Sequence, residues 1–133
     1  MPFDAPVRAL LEARNFAHVA TIRADGSPSV VPVWCHTDGE HVIVNTAEGR
    51  AWPRHLERDP RTAVTVINIE NPYEYAQIGG RVAERTHEDG DEVIDFLAGK
   101  YLGLDSYPFR QTGEQRVTIR IAPETVFYNA PPG

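Results

Sequence analysis

The sequence holds one cysteine, a single lysine and no long apolar run, and its charge leans to the negative side. Each shortage excludes something. A lone Cys35 cannot close an internal disulfide or form a CxxC metal or redox motif, which points to a reducing compartment. No stretch approaches the roughly 20 apolar residues that a membrane-spanning helix needs. The opening MPFDAPVRALLEARNF has neither the basic start nor the apolar stretch of a secretory leader. A cytoplasmic protein with no membrane partner is expected. The formal net charge of −6 argues against nucleic acid as the main partner, because phosphate backbones are met by clustered positive charge. Lys100 apart, every basic side chain is an arginine, so the placement of the arginines carries what information the charge holds.

What is present suffices for one domain spanning residues 1–133. A chain of 133 residues that is 41% hydrophobic buries roughly two thirds of the surface its unfolded form exposes, and needs neither disulfide nor metal to fold. Asp4 and Pro6 open a short helix that runs towards Asn15 and presents Val7, Leu10 and Leu11 on one face. The period then changes from helical to alternating. FAHVATIRADGSPSVVPVW reads as two strands, 16–23 and 28–36, joined at Asp25-Gly26, and Asp38-Gly39 separates them from a third, HVIVNT, at 41–46. Pro53 is tolerated only in a first helical turn, so a helix is expected from Arg50 to Glu57, closed by Asp59-Pro60. A fourth strand follows at 62–69 and a fifth at 73–86, in which Gly79-Gly80 marks a bulge or sharp bend. A helix at 90–101 aligns Val93, Ile94, Leu97 and Tyr101, and the last strand is QRVTIRIAPETVFY. About six antiparallel strands with two or three short helices give a mainly β protein, a small barrel rather than a sandwich.

Familiar catalytic motifs are missing. There is no GxGxxG, GxxxxGK[ST], HExxH or GxSxG. His36, Asp38, Glu40 and His41 could be read as a metal cluster, but they straddle a tight turn whose alternating residues point to opposite faces, and a solvated hairpin tip is the better reading. His18, His55 and His87 stand alone, and no nucleophile–base pair emerges.

Two features survive. Arg50, Arg54, Arg58 and Arg61 crowd into twelve residues of an acidic chain, and on a helix the first three share a face, with Arg50 at the positive end of the dipole. A phosphate-bearing ligand held by bidentate guanidinium groups is one reading. A solvated helix face balanced by Glu48, Glu57 and Asp59 is the other, and the spacing alone does not choose between them. The second feature is aromatic: Trp34, Trp52, Tyr73 and Tyr75. Core packing is the default for each, while Tyr73 and Tyr75, two apart in a strand, could also line a flat heteroaromatic ligand.

PSVVPVW, then VNTAEGRAWPRHLERDPRTAVTV, then YEYAQIGGRVAE resemble the flavin/deazaflavin oxidoreductase family, which has the split β-barrel fold of pyridoxamine 5′-phosphate oxidase. The resemblance runs from Phe16 to Tyr128 and is most specific around RDPR. It is narrower still towards the short branch that uses coenzyme F420, an 8-hydroxy-5-deazaflavin. The resemblance implies a homodimer with the cofactor in a groove between subunits. It implies Val31, Pro32, Val33 and Trp34 facing the tricyclic ring, Asn45 and Thr46 near the ribityl chain and phosphate, and Arg50, Ala51, Trp52 and Arg54 gripping the phosphate. Tyr73, Tyr75 and Gln77 would reach the cofactor of the other subunit. Two departures stand out: the family often has lysine where this chain has Trp52, and asparagine where it has His55. The implied activity is hydride transfer from F420 to a small conjugated, electron-poor substrate, with a tyrosine such as Tyr73 or Tyr75, or water, as proton source. An FMN-binding protein resembling pyridoxamine 5′-phosphate oxidase and a non-catalytic cofactor carrier are the alternatives. By position, the loop at 102–114 is a candidate lid.

Overall fold

A computed structural model describes residues 2–132. Three helices, α1 (Ala5–Glu12), α2 (Ala51–Arg58) and α3 (Gly90–Leu102), accompany seven strands. The strands are β1 (Phe16–Ile22), β2 (Pro28–Trp34), β3 (His36–Thr37), β4 (Val42–Ala47), β5 (Arg61–Ile67), β6 (Tyr75–Thr86) and β7 (Arg116–Asn129). All pair antiparallel in one curled sheet of order β2-β1-β5-β6-β7-β4-β3. Six strands were expected; the seventh arises because the expected 28–36 strand breaks at Cys35, leaving the two-residue β3 to pair with β4.

Alternation sorts the side chains. On β4 and β7, Val42, Val44, Val117, Ile119 and Ile121 point into the barrel and are fully buried, joined there by Val19, Val64, Val66, Ala76 and Ile78. α1 closes one end with Val7, Leu10 and Leu11, the three residues its sequence spacing selected. α2 lowers Trp52 and Leu56 onto the core. α3 buries Ile94, Leu97 and Ala98 and stops at Gly103, whose φ of +71° is the left-handed turn that ends a helix cheaply. No helix among the described residues is long and apolar enough to cross a membrane.

The β6–β7 ladder slips where the glycine pair predicts it, with register shifts at Gly79/Gly80 and again at Val82/Glu84. A Cβ on Gly80 would lie 2.1 Å from the Ala122 carbonyl oxygen. Only glycine permits that approach, and the resulting bulge sharpens the curl of the sheet. The curl does not close by hydrogen bonds. The edge strand β2, which carries Pro28 and Pro32 where a missing N–H is harmless, touches β4 without pairing with it, and this seam is the split in the barrel.

At the hairpin tip, the Asp38 carboxylate accepts from the backbone N–H groups of Glu40 and His41 and pairs with His41 Nδ1 at 2.9 Å. His36 turns away towards Lys100 Nζ and the edge of Phe96. The turn reading describes these residues, and among the described residues no three metal-ligating side chains gather.

Candidate functional site

A cavity of about 270 Å³ occupies the seam. β2 supplies Pro32, Val33 and Trp34, β1 contributes Phe16, and β4 and β7 contribute Asn45 and Arg116. The start of α2 gives Arg50 and Trp52, α3 gives Ile94 and Leu97, and the 103–115 connection gives Tyr107 and Phe109. A second cavity of about 500 Å³ shares Arg50, Tyr107 and Phe109 with the first and continues along Glu48, Gly49 and residues 111–114. The two form a trough with an aromatic end and a polar end, and Arg50 stands where they meet.

The aromatic end is ordered by ring contacts. The Trp34 indole stacks on Tyr101 with centroids 5.2 Å apart and planes within 5°. Tyr107 meets Trp34 edge-on at 6.1 Å and Phe109 at 5.7 Å, geometries that aromatic quadrupoles favour. Tyr101 is fixed from below, its hydroxyl donating to the Asn15 carbonyl and accepting from Cys35 N–H. The neighbouring Lys100 ammonium donates to the carbonyls of Leu11 and Cys35. Burial pushes the Tyr101 hydroxyl and the Cys35 thiol up and the Lys100 ammonium down. Tyr101 and Cys35 therefore stay protonated, and Cys35, fully buried, acts as packing rather than as a nucleophile.

The connection 103–115 borders the cavity and is tied to α3. Arg110 bonds Asp91 at 2.6 Å and Asp95 at 2.7 Å, and Asp95 also accepts from Tyr107 N–H. These contacts hold Tyr107 and Phe109 at the cavity wall.

The four arginines divide into two pairs. Arg58 donates to the Ile22 carbonyl at 3.2 Å, and Arg61 pairs with Asp59 at 2.7 Å. The other acids that could have balanced the run are taken from elsewhere: Arg85, from β6, bridges Glu48 and Glu57, and His87 reaches Glu48 as well. Arg85 holds the Glu48 carboxyl below its usual range. Arg50 and Arg54, both exposed, are left with no carboxylate or hydrogen-bond partner among the described residues. Arg50 is the N-cap of α2, with no side-chain cap of its own.

The residues singled out in the sequence separate accordingly. Pro32, Val33, Trp34, Asn45, Arg50 and Trp52 line one cavity. Val31 packs against the barrel core instead. Thr46 cannot accompany Asn45, because neighbours on a strand face opposite ways; its hydroxyl lies in the barrel interior, fully buried and without a partner. Ala51 and Arg54 are exposed beside the cavity rather than in it. Trp52, where the family often has lysine, is 7% exposed; its indole is a wall of the cavity and part of the core, not a solvent-facing anchor. His55 is also structural, hydrogen-bonded through Nδ1 to the Thr21 hydroxyl at 2.9 Å and so tying α2 to β1.

Tyr73, Tyr75 and Gln77 lie away from this cavity. Tyr73 sits in the turn before β6, not in a strand as expected, because Glu74 N–H bonds back to the Asn71 carbonyl. Tyr75 and Gln77 lie on the outer face of β6, where Tyr75 approaches Phe127 at 6.2 Å between ring centroids. Arg116, Tyr107 and Phe109 were missed by the sequence reading. An arginine at the start of a strand that alternates apolar and polar residues was the one available sign of the first; nothing in the loop composition marked the other two.

The comparisons fit this geometry. The chain aligns over 94% of its length with a solved F420 reductase at 27% identity and a TM-score of 0.81, covering 98% of that protein. HupZ of Group A Streptococcus superposes at a TM-score of 0.70 with 20% identity, over 98% of this chain and 99% of that one. A conserved hypothetical protein of Mycobacterium tuberculosis superposes at 0.74 with 19% identity, over 97% and 85%. The latter two speak for the fold alone. Residues 3–130 match the family model of pyridoxamine 5′-phosphate oxidase. With the match spanning nearly the whole chain, this split-barrel protein belongs to the pyridoxamine 5′-phosphate oxidase family.

Proposed function

We propose that this chain is an oxidoreductase that uses coenzyme F420 to transfer hydride to a small, conjugated, electron-poor substrate. The observation that carries the reading is the free pair Arg50 and Arg54, whose neighbouring acids are occupied by Arg85 and Arg61, at the junction of an aromatic cavity and a polar one. The residues present fit such a coenzyme: flat aromatic walls for a tricyclic ring, and two unpaired guanidinium groups at a helix start for a phosphate. The likeness to an F420 reductase supports the deazaflavin over FMN.

When bound, a reduced deazaflavin supplies the hydride. The protein's part is position and exclusion of water. Trp34, Trp52 and Tyr107 offer stacking faces and edges to a flat ring. Arg50 and Arg54 anchor the phosphate, which fixes how far the ring reaches into the seam. Tyr107 carries the one hydroxyl among the residues lining the cavity, and within one chain it is the side chain placed to deliver a proton.

The outer face of β5–β7 supports a homodimer. Ala63, Thr65, Tyr75, Gln77 and Phe127 form a surface without charge around a shallow groove, and Phe127 is 52% exposed. A second copy seated there would bring Tyr75 and Gln77 towards the partner's cofactor. Sedimentation should give a dimer, and Phe127→Asp a monomer.

The functional reading is tested by fluorescence titration with F420 and FMN side by side, followed by turnover with reduced F420 and a panel of quinones and conjugated carbonyl compounds. Tight F420 binding with hydride consumption is expected. Preferential retention of FMN would replace the deazaflavin reading, and F420 binding without turnover on any acceptor would make the protein a carrier.

A further inference from the structure

Arg116, the first residue of β7, has a side chain only 2% exposed. Charged side chains this deep are uncommon, and each of their donors has to be accounted for. Nε donates to Asn45 Oδ1 at 3.0 Å and Nη1 to Glu114 Oε1 at 3.0 Å. Asn45 is itself held at its other end, its Nδ2 donating to the Gly90 carbonyl at 2.9 Å and to the Thr118 hydroxyl at 3.2 Å. The start of α3 presses on the same place: a Cβ on Gly90 would lie 2.4 Å from the Arg116 carbonyl oxygen. Tyr107 covers the guanidinium with its ring centroid 5.0 Å from the central carbon. The group is thus locked in position from three sides. Nη2 alone has no hydrogen-bond partner among the described residues, and the residue lines the seam cavity.

A guanidinium kept only to hold β4 against β7 would have its donors satisfied within the protein. Here one nitrogen is left over on the wall of an aromatic cavity whose charged lining is Arg50 and Arg116, with no carboxylate. Glu114 stands on the neighbouring cavity and is engaged by Nη1. A donor fixed in advance interacts with negative charge more strongly than a mobile one, because nothing has to reorganise when the charge arrives.

We propose that Arg116 recognises an anionic oxygen on the ring system held in this cavity, so that the site selects ring oxyanions over neutral rings of the same shape. This inference rests on the deazaflavin reading above, and it separates two duties: Arg50 and Arg54 meet the phosphate, Arg116 the ring. A phosphate-free probe isolates the second duty. 8-Hydroxy-5-deazariboflavin carries an ionised 8-hydroxyl at mildly alkaline pH, and 5-deazariboflavin lacks that hydroxyl.

Both compounds are titrated against the purified full-length protein by fluorescence. The wild type is expected to bind the hydroxylated ring roughly tenfold or more tightly than the neutral one. R116Q should lose that preference, R116K should recover part of it, and E114Q, which removes the counter-charge, should enlarge it. Equal binding of the two rings by the wild type overturns the Arg116 inference, as does an undiminished preference in folded R116Q. If R116Q fails to fold, an E114Q preference no larger than that of the wild type overturns it instead. A wild type that binds neither ring overturns the deazaflavin reading itself, which distinguishes the two failures.

Discussion

Arginines flank both ends of α2, Arg50 and Arg54 at its start and Arg58 and Arg61 at and just beyond its end, and the two pairs do different things. Arg58, the last residue of α2, and Arg61, the first of β5, are absorbed by the fold, one on the Ile22 carbonyl and the other on Asp59. At the N-terminal end, Arg50 and Arg54 have been deprived of partners, because Arg85 reaches across from β6 to take Glu48 and Glu57. A guanidinium satisfied within the protein has little left for a ligand; a free one at the positive end of a helix has its full charge and five donors available. Residue type therefore does not decide which guanidinium groups stay free. What decides it is which acids the rest of the fold takes up.

That contrast can be broken in four ways, beginning with the largest effect. Trp52 stands on the inward side of the same first turn, so Trp52→Ala should remove a core wall and destabilise by about 3–5 kcal/mol, read as a loss of thermal midpoint. Next, Arg50→Ala and Arg54→Ala should each weaken F420 binding by about 1.5–3 kcal/mol, the range for a hydrogen bond to a charged group. Arg58→Ala and Arg61→Ala should leave the same titration within about twofold, well inside one decade of affinity. Equal losses from both pairs would mean that the helix acts as a diffuse positive surface. Third, Thr21→Val cuts the hydroxyl's tie to His55 and should cost about 1 kcal/mol of stability without changing cofactor affinity. A lowered affinity there would show that the register of α2 on β1 sets the position of Arg50.

The smallest effect concerns pH. Hydrogen bonds from Arg61 lower the Asp59 carboxyl from 3.8 to about 2. A carboxyl depressed on folding adds stability that is complete above its ordinary value and is lost as pH falls through the folded one. Denaturation of the wild type should therefore show a downward slope in stability between those two values, and Asp59→Asn should flatten it slightly, since the pair is exposed to solvent. F420 binding at neutral pH should be indifferent to this change.

The family resemblance singled out the cavity residues unevenly. Pro32, Trp34, Asn45, Arg50 and Trp52 came together because they lie on segments whose local pattern is strong: an edge strand with prolines, a buried strand and a helix start fixed by Pro53. Thr46 was grouped with Asn45 by adjacency in sequence, and the pleat separates them. Tyr73 was read into a strand that begins two residues later, since the turn at 68–74 closes through hydrogen bonds that hydrophobic alternation does not reveal. Arg116 and Tyr107 left no periodic trace, because a buried arginine and a loop tyrosine get their meaning from partners on β4 and α3.

By itself the sequence determined a mainly β fold, its three helices, the bulge at Gly79-Gly80 and a local surplus of arginine in an acidic chain. These follow from short-range causes: periodicity, turn chemistry, and the conformations that proline and glycine allow or forbid. Only the tertiary structure decided that the barrel stays open between β2 and β4, that aromatic rings from four separate segments meet in that seam, and which arginines remain unpaired. Those outcomes depend on contacts between residues far apart in the chain. The charge available to a ligand is what remains after the fold has satisfied its own pairs.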